Sequence, residues 1–371
     1  MAKLKKSDVE NVENNISQIK KNEHDDNEHT LDKHNPLDKY DYKTEIGSIV
    51  NSCKYRQQYV DEGLILCVNH LKQFFFAGSG KNRSKLKAVH NVSFSVKRGE
   101  VFGLVGESGC GKTVIARDLI HFYNITSGSI YYKGYRIGCG SRWNEKEIKW
   151  TKVRYKERLK ELKAQYSKKE ISKETYKLEV KKAKDFKNQV VNIQKQKIKQ
   201  IKYDNNHVDY RLLNEIHLAF EDTKKTIEPN RSIHDVLVSE FEMHRSKIDE
   251  TKIAWALNLV GIKQTELDHK VIDLDDYKFN CLEIARALVH GTKLLVCDEM
   301  HNSKDQEVID KTITLLKKVK KECGLTIIFI TSNIKFAKEI CDRVAVIKSG
   351  EIVEIVDNKS NGNVKKAKNK K

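Results

Sequence analysis

Residues 106–113, with the sequence GESGCGKT, place three glycines, a lysine and a threonine at the spacing G-x-x-x-x-G-K-[ST]. Glycines let a backbone curl so that its N–H groups point inward at phosphate oxygens, helped by the N-terminus of a following helix. Lys112 supplies the charge that reaches the β and γ phosphates, and Thr113 supplies a hydroxyl for Mg²⁺. The residues expected to contact the nucleotide are Gly106, Glu107, Ser108, Gly109, Cys110, Gly111, Lys112 and Thr113.

The surroundings of this loop favour a phosphate site over the alternative, a glycine-rich surface turn. An apolar run, VFGLV, precedes the loop, and a helical pattern, TVIARDLI, follows it. A strand, a glycine-rich loop and a helix in this order are the context that such a site requires. The sequence therefore predicts an ATP-binding loop between a buried strand and a helix.

A second group of candidate residues ends the apolar run LLVCDEM at 294–300. Asp298 can hold the Mg²⁺ shell at the carboxyl end of a strand. Glu299 can polarise the attacking water as a general base. Because many strands end in acidic residues, this prediction depends on the phosphate loop. Together the two motifs predict a P-loop ATPase that uses ATP and Mg²⁺.

The rest of the chain must position these residues. Short apolar runs alternate with helical patterns over 61–140 and 211–357, the helices lying near 112–122, 232–244, 249–260, 278–290 and 304–321. This alternation predicts an α/β domain with helices packed on a largely parallel sheet. Residues 1–60 are polar and charged and are expected to be mostly disordered, and 358–371 form a basic, solvated tail.

Residues 141–210 differ from their surroundings in charge. The chain has a net charge of +18, and residues 141–200 hold 20 Lys and Arg against 8 Asp and Glu, a net of +12. The periodicity predicts a basic helical hairpin inserted into the α/β domain, with SKKE at 167–170 as a capping box that starts its second helix. The hairpin is either a solvated charged helix pair without a ligand or a contact for acidic lipid or RNA.

Composition limits the remaining classes. No apolar run is long enough for a membrane helix, and the first residues lack the apolar core of a signal peptide, so we expect a cytosolic protein unless a partner tethers it. The eight cysteines include no CxxC pair. They are expected to be reduced packing residues rather than metal ligands or disulfides.

Four stretches of the chain resemble the ATP-binding subunits of ABC transporters, and within them the oligopeptide/dipeptide permease type (OppF/DppF-like subunits). They are KAVHNVSFSVKRGEVFGLVGESGCGKT (87–113), IHLAFEDTKKTIEPNRSIHDVL (216–237), IARALVHGTKLLVCDEM (284–300) and GLTIIFITSNIKFAKEICDRVAVIKSGEIVE (324–354). The resemblance covers about 61–140 and 211–357. It implies the ABC ATPase fold: a parallel core sheet flanked by helices, an antiparallel β subdomain and a helical subdomain, here interrupted by the hairpin.

The resemblance also implies partners and a location. Such subunits dimerise head to tail around two ATP molecules and drive two transmembrane permease subunits, which receive peptides from a substrate-binding protein. The chain would then lie peripherally at the cytoplasmic face of the membrane. Residues carried over with the family pattern are the phosphate loop, Asp298, Glu299, and Asp305 as the acid that bridges the dimer. Phe74 lies where the family stacks an aromatic ring on adenine, although Phe75 or Phe76 could serve.

Three family positions are changed. Glu221 replaces the glutamine of the Q-loop, and its carboxylate can still ligate Mg²⁺. Ser332 replaces the switch histidine that senses the γ-phosphate. The signature LSGGQ falls on 274–278, LDDYK, where Asp275 and Asp276 would set carboxylates near the phosphate bound by the partner subunit.

The three changes together predict an asymmetric heterodimer in which this chain binds MgATP and hydrolyses it slowly or conditionally. Alternatives are a non-catalytic subunit of such a transporter and a non-transport ABC-type ATPase that acts on nucleic acid or ribosomes. For the signature segment, an ordinary surface loop before a helix is also an open interpretation.

Overall fold

The structure is a computed structural model that describes residues 55–77, 84–220, 227–243, 245–300 and 305–358. Nearly all of the N-terminal segment predicted to be disordered, and all but the first residue of the basic tail, lie outside these ranges. Glu221, predicted to ligate Mg²⁺, also lies outside them.

The described strands form a mixed sheet of ten strands in the order β5-β4-β1-β2-β10-β9-β3-β8-β7-β6. Their bounds are β1 Leu64–Ala77, β2 Ser84–Lys97, β3 Val101–Val105, β4 Ser127–Tyr132, β5 Tyr135–Ser141, β6 Ile216–Phe220, β7 Leu294–Asp298, β8 Thr326–Thr331, β9 Arg343–Lys348 and β10 Glu351–Asp357. The half from β9 to β6 is parallel, and β1, β2, β4 and β5 pair antiparallel.

The parallel half is the buried centre of the domain. All residues of β3, β7 and β8 are buried, as expected for parallel strands that helices cover on both faces. Side chains of these strands alternate between two cores. Val101 and Val105 face a core with the C-terminal helices, whereas Phe102 and Leu104 face a core with the antiparallel strands.

The helices have the bounds α1 Gln57–Asp61, α2 Lys112–Leu119, α3 Arg142–Ser167, α4 Lys173–Asn206, α5 Tyr210–Leu213, α6 Ile233–Met243, α7 Glu250–Val260, α8 Asp276–His290, α9 Gln306–Cys323 and α10 Ile334–Ile340. Each of the five helices predicted in the α/β region is present, with ends at most three residues from the predicted positions. In the described part of the chain, no helix combines the length and the apolar composition that crossing a bilayer requires.

Helices α3 and α4 are a long antiparallel pair within the segment 141–210. Asn144 donates to Gln194 at 2.7 Å near the base of the pair, and the rings of Tyr166 and Tyr176 stack 5.1 Å apart near its tip. Contacts thus join early residues of α3 to late residues of α4. At the base, a buried ion pair joins Arg136 of β5 to Asp204 of α4, so the pair is anchored on the edge strand of the sheet.

The capping box predicted at 167–170 is wrong. Helix α4 begins at Lys173, and its N-cap is Ser172, whose hydroxyl accepts the N–H of Thr175 at 3.1 Å. Ser167 instead ends α3 and donates to the carbonyl of Lys163 at 2.5 Å. The sequence allows either serine to cap, and the packing of α4 against α3 selects the later one.

Candidate nucleotide-binding site

The phosphate loop connects β3 to α2, and its backbone is shaped by positions where only glycine fits. Gly111 has a φ of 105°, and a Cβ there would lie 2.4 Å from the carbonyl oxygen of Ala88. A Cβ on Gly106 would lie 2.3 Å from the carbonyl oxygen of Ile347. Because the loop lies directly against neighbouring backbone, a side chain at either glycine would displace it, and the tight curl of the loop depends on both.

Lys112 is the first residue of α2 and is 5% exposed. Its Nζ donates to the carbonyl oxygens of Gly106 at 2.8 Å and Glu107 at 3.1 Å. It also lies 3.5 Å from Oε1 of Glu299. The ammonium group is therefore held inside the curl of the loop, beside the acids that end β7.

Asp298 ends β7 next to α2, and Thr113 hydrogen-bonds to its carboxylate. The pKa of Asp298 is raised to about 6, mainly by burial and also by Glu299, while Thr113, Lys112 and Arg117 oppose the rise. Within the described ranges, Oδ1 of this buried carboxylate has no hydrogen-bond partner.

An unsatisfied carboxylate oxygen beside a threonine hydroxyl is the donor set that fits Mg²⁺. This ion is usually bound by one or two protein oxygens together with substrate phosphates and water. The described residues include no group of three or more His, Cys, Asp or Glu that could hold a metal.

Glu299 follows Asp298 with a φ of 54°, an uncommon backbone conformation for a residue other than glycine. Its N–H donates to the carbonyl oxygen of Ile330 at 3.1 Å, which ties it to β8. Sparsely populated conformations of this kind cluster at functional sites. The Glu299 carboxylate is therefore directed by the fold toward Lys112 and the phosphate loop.

Ser332 is exposed and lies directly after β8, which pairs with β3 up to Val105 and Thr331. The N–H of Gly106 donates to the carbonyl oxygen of Thr331 at 3.4 Å. Ser332 thus lies beside the start of the phosphate loop. Asp305, the predicted dimer-bridging acid, is the N-cap of α9 and accepts the N–H of Glu307 at 2.9 Å.

The aromatic cluster of β1 has one buried and one exposed ring. Phe74 is 9% exposed, and Nζ of Lys85 lies 3.9 Å from the centre of its ring. Phe76 is 39% exposed. Stacking of Phe74 on adenine stays a prediction, and it requires Lys85 to leave this ring face or adenine to use the other one.

Residues 274–278, predicted to be the signature segment, include the capped start of α8. Leu274 is buried, and Asp275 is the N-cap of α8, its carboxylate accepting the N–H of Lys278 at 2.7 Å. Nζ of Lys278 is paired with Glu266; this hydrogen bond raises the pKa of Lys278 and lowers that of Glu266. The Lys278 ammonium is therefore engaged by a carboxylate of its own chain.

Two buried polar residues near the site were not predicted from the sequence. Asn280 of α8 donates to the carbonyl oxygen of Met300 at 3.0 Å and to the hydroxyl of Thr312 at 3.1 Å. It thereby links the signature helix to the segment after Glu299. Asp118 of α2 is 1% exposed, and its two carboxylate oxygens have no partner among the residues that the structure describes. In the sequence, Asn280 and Asp118 each appear as a polar residue within an apolar helical pattern, and this is the signal that could have identified them.

The cysteines lie mostly in the cores. All seven that the structure describes are free thiols, and all but Cys323 are buried. Cys110, in the phosphate loop, has its Sγ 2.6 Å from the position that a Cβ of Gly106 would take. It therefore fills the space that the glycine leaves inside the loop.

This fold and site define a P-loop nucleotide-binding domain: a curled glycine loop before a helix, beside a strand that ends in two acids. The model of the family described as ABC transporter matches residues 89–302, more than half of the chain. The protein therefore belongs to the ABC transporter family.

Relatives and solved structures agree with this assignment. The chain is 26% identical over 276 residues to the oligopeptide transport ATP-binding protein OppF of Streptococcus mutans, covering 73% of this chain and 69% of the relative. It is 26% identical over 297 residues to the putative oligopeptide transport ATP-binding protein YkfD of Bacillus subtilis, covering 79% and 70%.

Two solved structures share the fold. The structure of cbiO1 from Clostridium perfringens, part of the transporter complex cbiONQ, matches with a TM-score of 0.53 at 20% identity, covering 81% of this chain and 90% of that one. The ATP-binding cassette MJ0796 bound to ADP and Pi matches with a TM-score of 0.52 at 17% identity, covering 79% and 98%.

Proposed function

We propose that this protein is the ATP-binding subunit of an ABC importer and that it binds MgATP to power uptake of oligopeptides or dipeptides. One observation carries the nucleotide part: Lys112, Thr113, Asp298 and Glu299, from two separate motifs, converge on the mouth of the phosphate loop. The peptide part is supported by relatives whose names describe oligopeptide transport.

The site residues divide the chemistry between them. The loop N–H groups and Lys112 would bind the phosphates and stabilise the charge that develops during transfer to water. The Thr113 hydroxyl and Asp298 would hold Mg²⁺, which supplies charge neutralisation at the β and γ phosphates; Glu221 is the proposed third ligand. Glu299 would accept the proton of the attacking water.

We propose that hydrolysis is slow or conditional, because two parts of the apparatus differ from the family. Ser332 offers a short neutral hydroxyl where the family uses a histidine. The capped, acidic α8 start would face the nucleotide on a second ATPase subunit, so that site would close poorly. The complex would be an asymmetric heterodimer whose two sites are impaired in different ways.

Membrane association would come through two permease subunits fed by a substrate-binding protein. Helices α6 and α7 support this because they leave large apolar side chains at the surface. Met243 is 63% exposed, Ile248 between the helices is 50% exposed, and Trp255 is 48% exposed. The three residues fall within 243–255 of the chain, and an exposed apolar patch there would suit a protein contact. The subunit would thus lie at the cytoplasmic face of the membrane.

The nucleotide part is tested by thermal unfolding of the isolated chain with and without MgATP. A hundredfold excess of ligand over Kd stabilises a protein by about 3 kcal/mol, which raises Tm by several degrees. We expect this shift in the wild type and its loss in Lys112→Ala. The matched control is Lys321→Ala, an exposed lysine at the end of α9. A wild-type chain whose Tm MgATP leaves unchanged would contradict the proposal.

A non-catalytic role in the same transporter is the second candidate, favoured by the acidic cap at the signature position. It predicts the same MgATP stabilisation without a contribution of Glu299 to turnover. Steady-state ATP turnover of the complex, compared between wild type and Glu299→Gln, separates the two.

A further inference from the structure

The α3–α4 hairpin has two chemically different sides. At about 100° per residue, its exposed lysines fall within an arc of about 80° on α3 and a similar arc on α4. These lysines are Lys149, Lys152, Lys156, Lys160 and Lys163 on α3, and Lys177, Lys181, Lys184, Lys195, Lys199 and Lys202 on α4. We call these eleven residues the lysine face.

The two arcs lie on the same side of the hairpin. Viewed along its own helix from the N-terminus, each arc of lysines begins about 80° past the side that contacts the other helix. The direction of this rotation is the same on both helices. Because the helices run antiparallel, that shared sense brings both rows to one side. The contact line is fixed by Asn144 with Gln194, Tyr155 with Lys187, and Arg158 with Glu179.

The lysine face is not neutralised by the hairpin itself. None of its eleven side chains makes an ion pair or hydrogen bond within the described part of the chain. Ion pairs of the hairpin that the structure describes involve other residues, among them Arg154 with Glu147, Arg158 with Glu179, and Lys182 with Glu179.

Three acids border the lysine face: Glu145 at its base, Glu174 at its tip, and Asp185 at its edge. Glu145 is itself close to Arg142. The centre of the face is therefore a continuous field of positive charge.

From these observations we propose that the lysine face binds the surface of a bilayer rich in anionic phospholipid headgroups. The α4 row is about 38 Å long, and paired helices lie about 8–10 Å apart, so the face is flat and extended. Lysine stems reach from such a plane to headgroups at varying positions. Negative charge of the membrane surface complements it along its whole length.

The composition of the face distinguishes this partner from nucleic acid. The face contains no aromatic side chain for stacking on bases and no arginine for bidentate phosphate or guanine contacts. Of the exposed rings of the hairpin, Trp150 and Phe186 lie on its other side, Tyr166 stacks on Tyr176 between the helices, and Tyr203 stacks on His207 at the edge of the face. The inference extends the proposed membrane location but requires neither ATP nor permease subunits, so either can fail without the other.

The test is sedimentation of the purified full chain, without nucleotide, with vesicles of phosphatidylcholine alone or with about one-third phosphatidylglycerol. One variant replaces Lys156, Lys163, Lys181 and Lys195 by Gln. Its matched control replaces Lys146, Lys168, Lys169 and Lys182 by Gln, which removes the same charge from outside the lysine face. A third variant replaces Lys156, Lys163, Lys181 and Lys195 by Arg. It keeps the positive charge and shows whether charge on this fold is sufficient for vesicle binding.

We expect the wild type, the control and the Arg variant to bind anionic vesicles in a salt-sensitive way and to ignore phosphatidylcholine. The first variant should bind at least about tenfold more weakly. Equal losses in the first variant and its control would overturn the proposal, because binding would then follow net charge alone. Retention of a structured RNA without any binding to anionic vesicles would overturn it in favour of nucleic acid.

Discussion

Two junctions in this molecule, where a loop leads into α2 and into α8, differ in what pairs with the backbone N–H groups of the helix start. At the start of α2, Gly111 precedes the helix with a φ of 105° and no side chain caps it. At the start of α8, the carboxylate of Asp275 accepts the N–H of Lys278. A helix start leaves unpaired N–H groups and a partial positive charge that attract anions. The first junction leaves these donors to a phosphate, whereas the second satisfies one with the protein's own carboxylate.

The difference shows that capping and anion binding compete for the same backbone groups. A serine at 275 would cap the helix nearly as well without bringing a charge. Aspartate keeps the local stability of α8 but places a negative charge where the family presents donors to a phosphate. In the proposed heterodimer, the aspartate at 275 would therefore change the electrostatics of the site and leave the fold intact.

The largest expected effect tests whether the site at the first junction, the phosphate loop, hydrolyses ATP. In the complex captured from membranes through a tag on this chain, Glu299→Gln should lower steady-state ATP turnover at least about 100-fold, because a general base contributes that much or more. The isolated variant should keep its MgATP-dependent rise in Tm. Glu354→Gln, an exposed residue of β10, is the control. An unchanged rate would make the bound ATP a structural ligand.

A smaller effect concerns α2, the helix after the phosphate loop, and the pH dependence of the protein's stability. Burial raises the pKa of Asp118 to about 8, so the folded protein holds a proton there that the unfolded chain releases above about pH 4. Stability should therefore fall as pH rises between about 4 and 8. Burial also raises the pKa of Asp298, to about 6, so Asp118→Asn should remove the part of this slope above about pH 6 and raise the free energy of unfolding at pH 8 by about 2–4 kcal/mol.

Urea unfolding at a series of pH values measures the Asp118 effect. Asp310→Asn, on α9, keeps the substitution type and should leave the slope unchanged, since Asp310 is exposed. If the free energy of unfolding of Asp118→Asn still fell between about pH 6 and 8 as in the wild type, another group would be responsible for the slope.

The smallest expected effect tests the second junction. A unit charge 4 Å from another costs about 4 kcal/mol at an effective dielectric of 20, and solvent lowers this. Asp275→Ser should therefore raise ATP turnover of the complex several-fold with little change in Tm. Asp249→Ser is a close control, because Asp249 caps α7 by accepting the N–H of Lys252 at 3.1 Å. A rise in both variants, or in neither, would contradict the electrostatic account of the signature.

The sequence predicted the α/β fold and the family because those signals are local. The spacing from Gly106 to Thr113 fixes a loop with one main solution, and apolar runs such as VFGLV define buried strands without knowledge of their neighbours. The wrong capping box at 167 shows the limit of this reasoning. Ser167 and Ser172 have similar local chances of capping, and only the packing of two long helices chooses between them.

Only the tertiary structure decided how groups distant in sequence meet. The sequence gives no distance between Lys112 and Glu299, which the neighbouring strands bring to 3.5 Å. It likewise cannot pair Lys278 with Glu266 or place Asp118 away from water, since both depend on which surfaces pack together. Residue spacing determined the chemistry that is present in this chain. The fold determined which charges are satisfied internally, and it left the phosphate loop and the lysine face to bind something else.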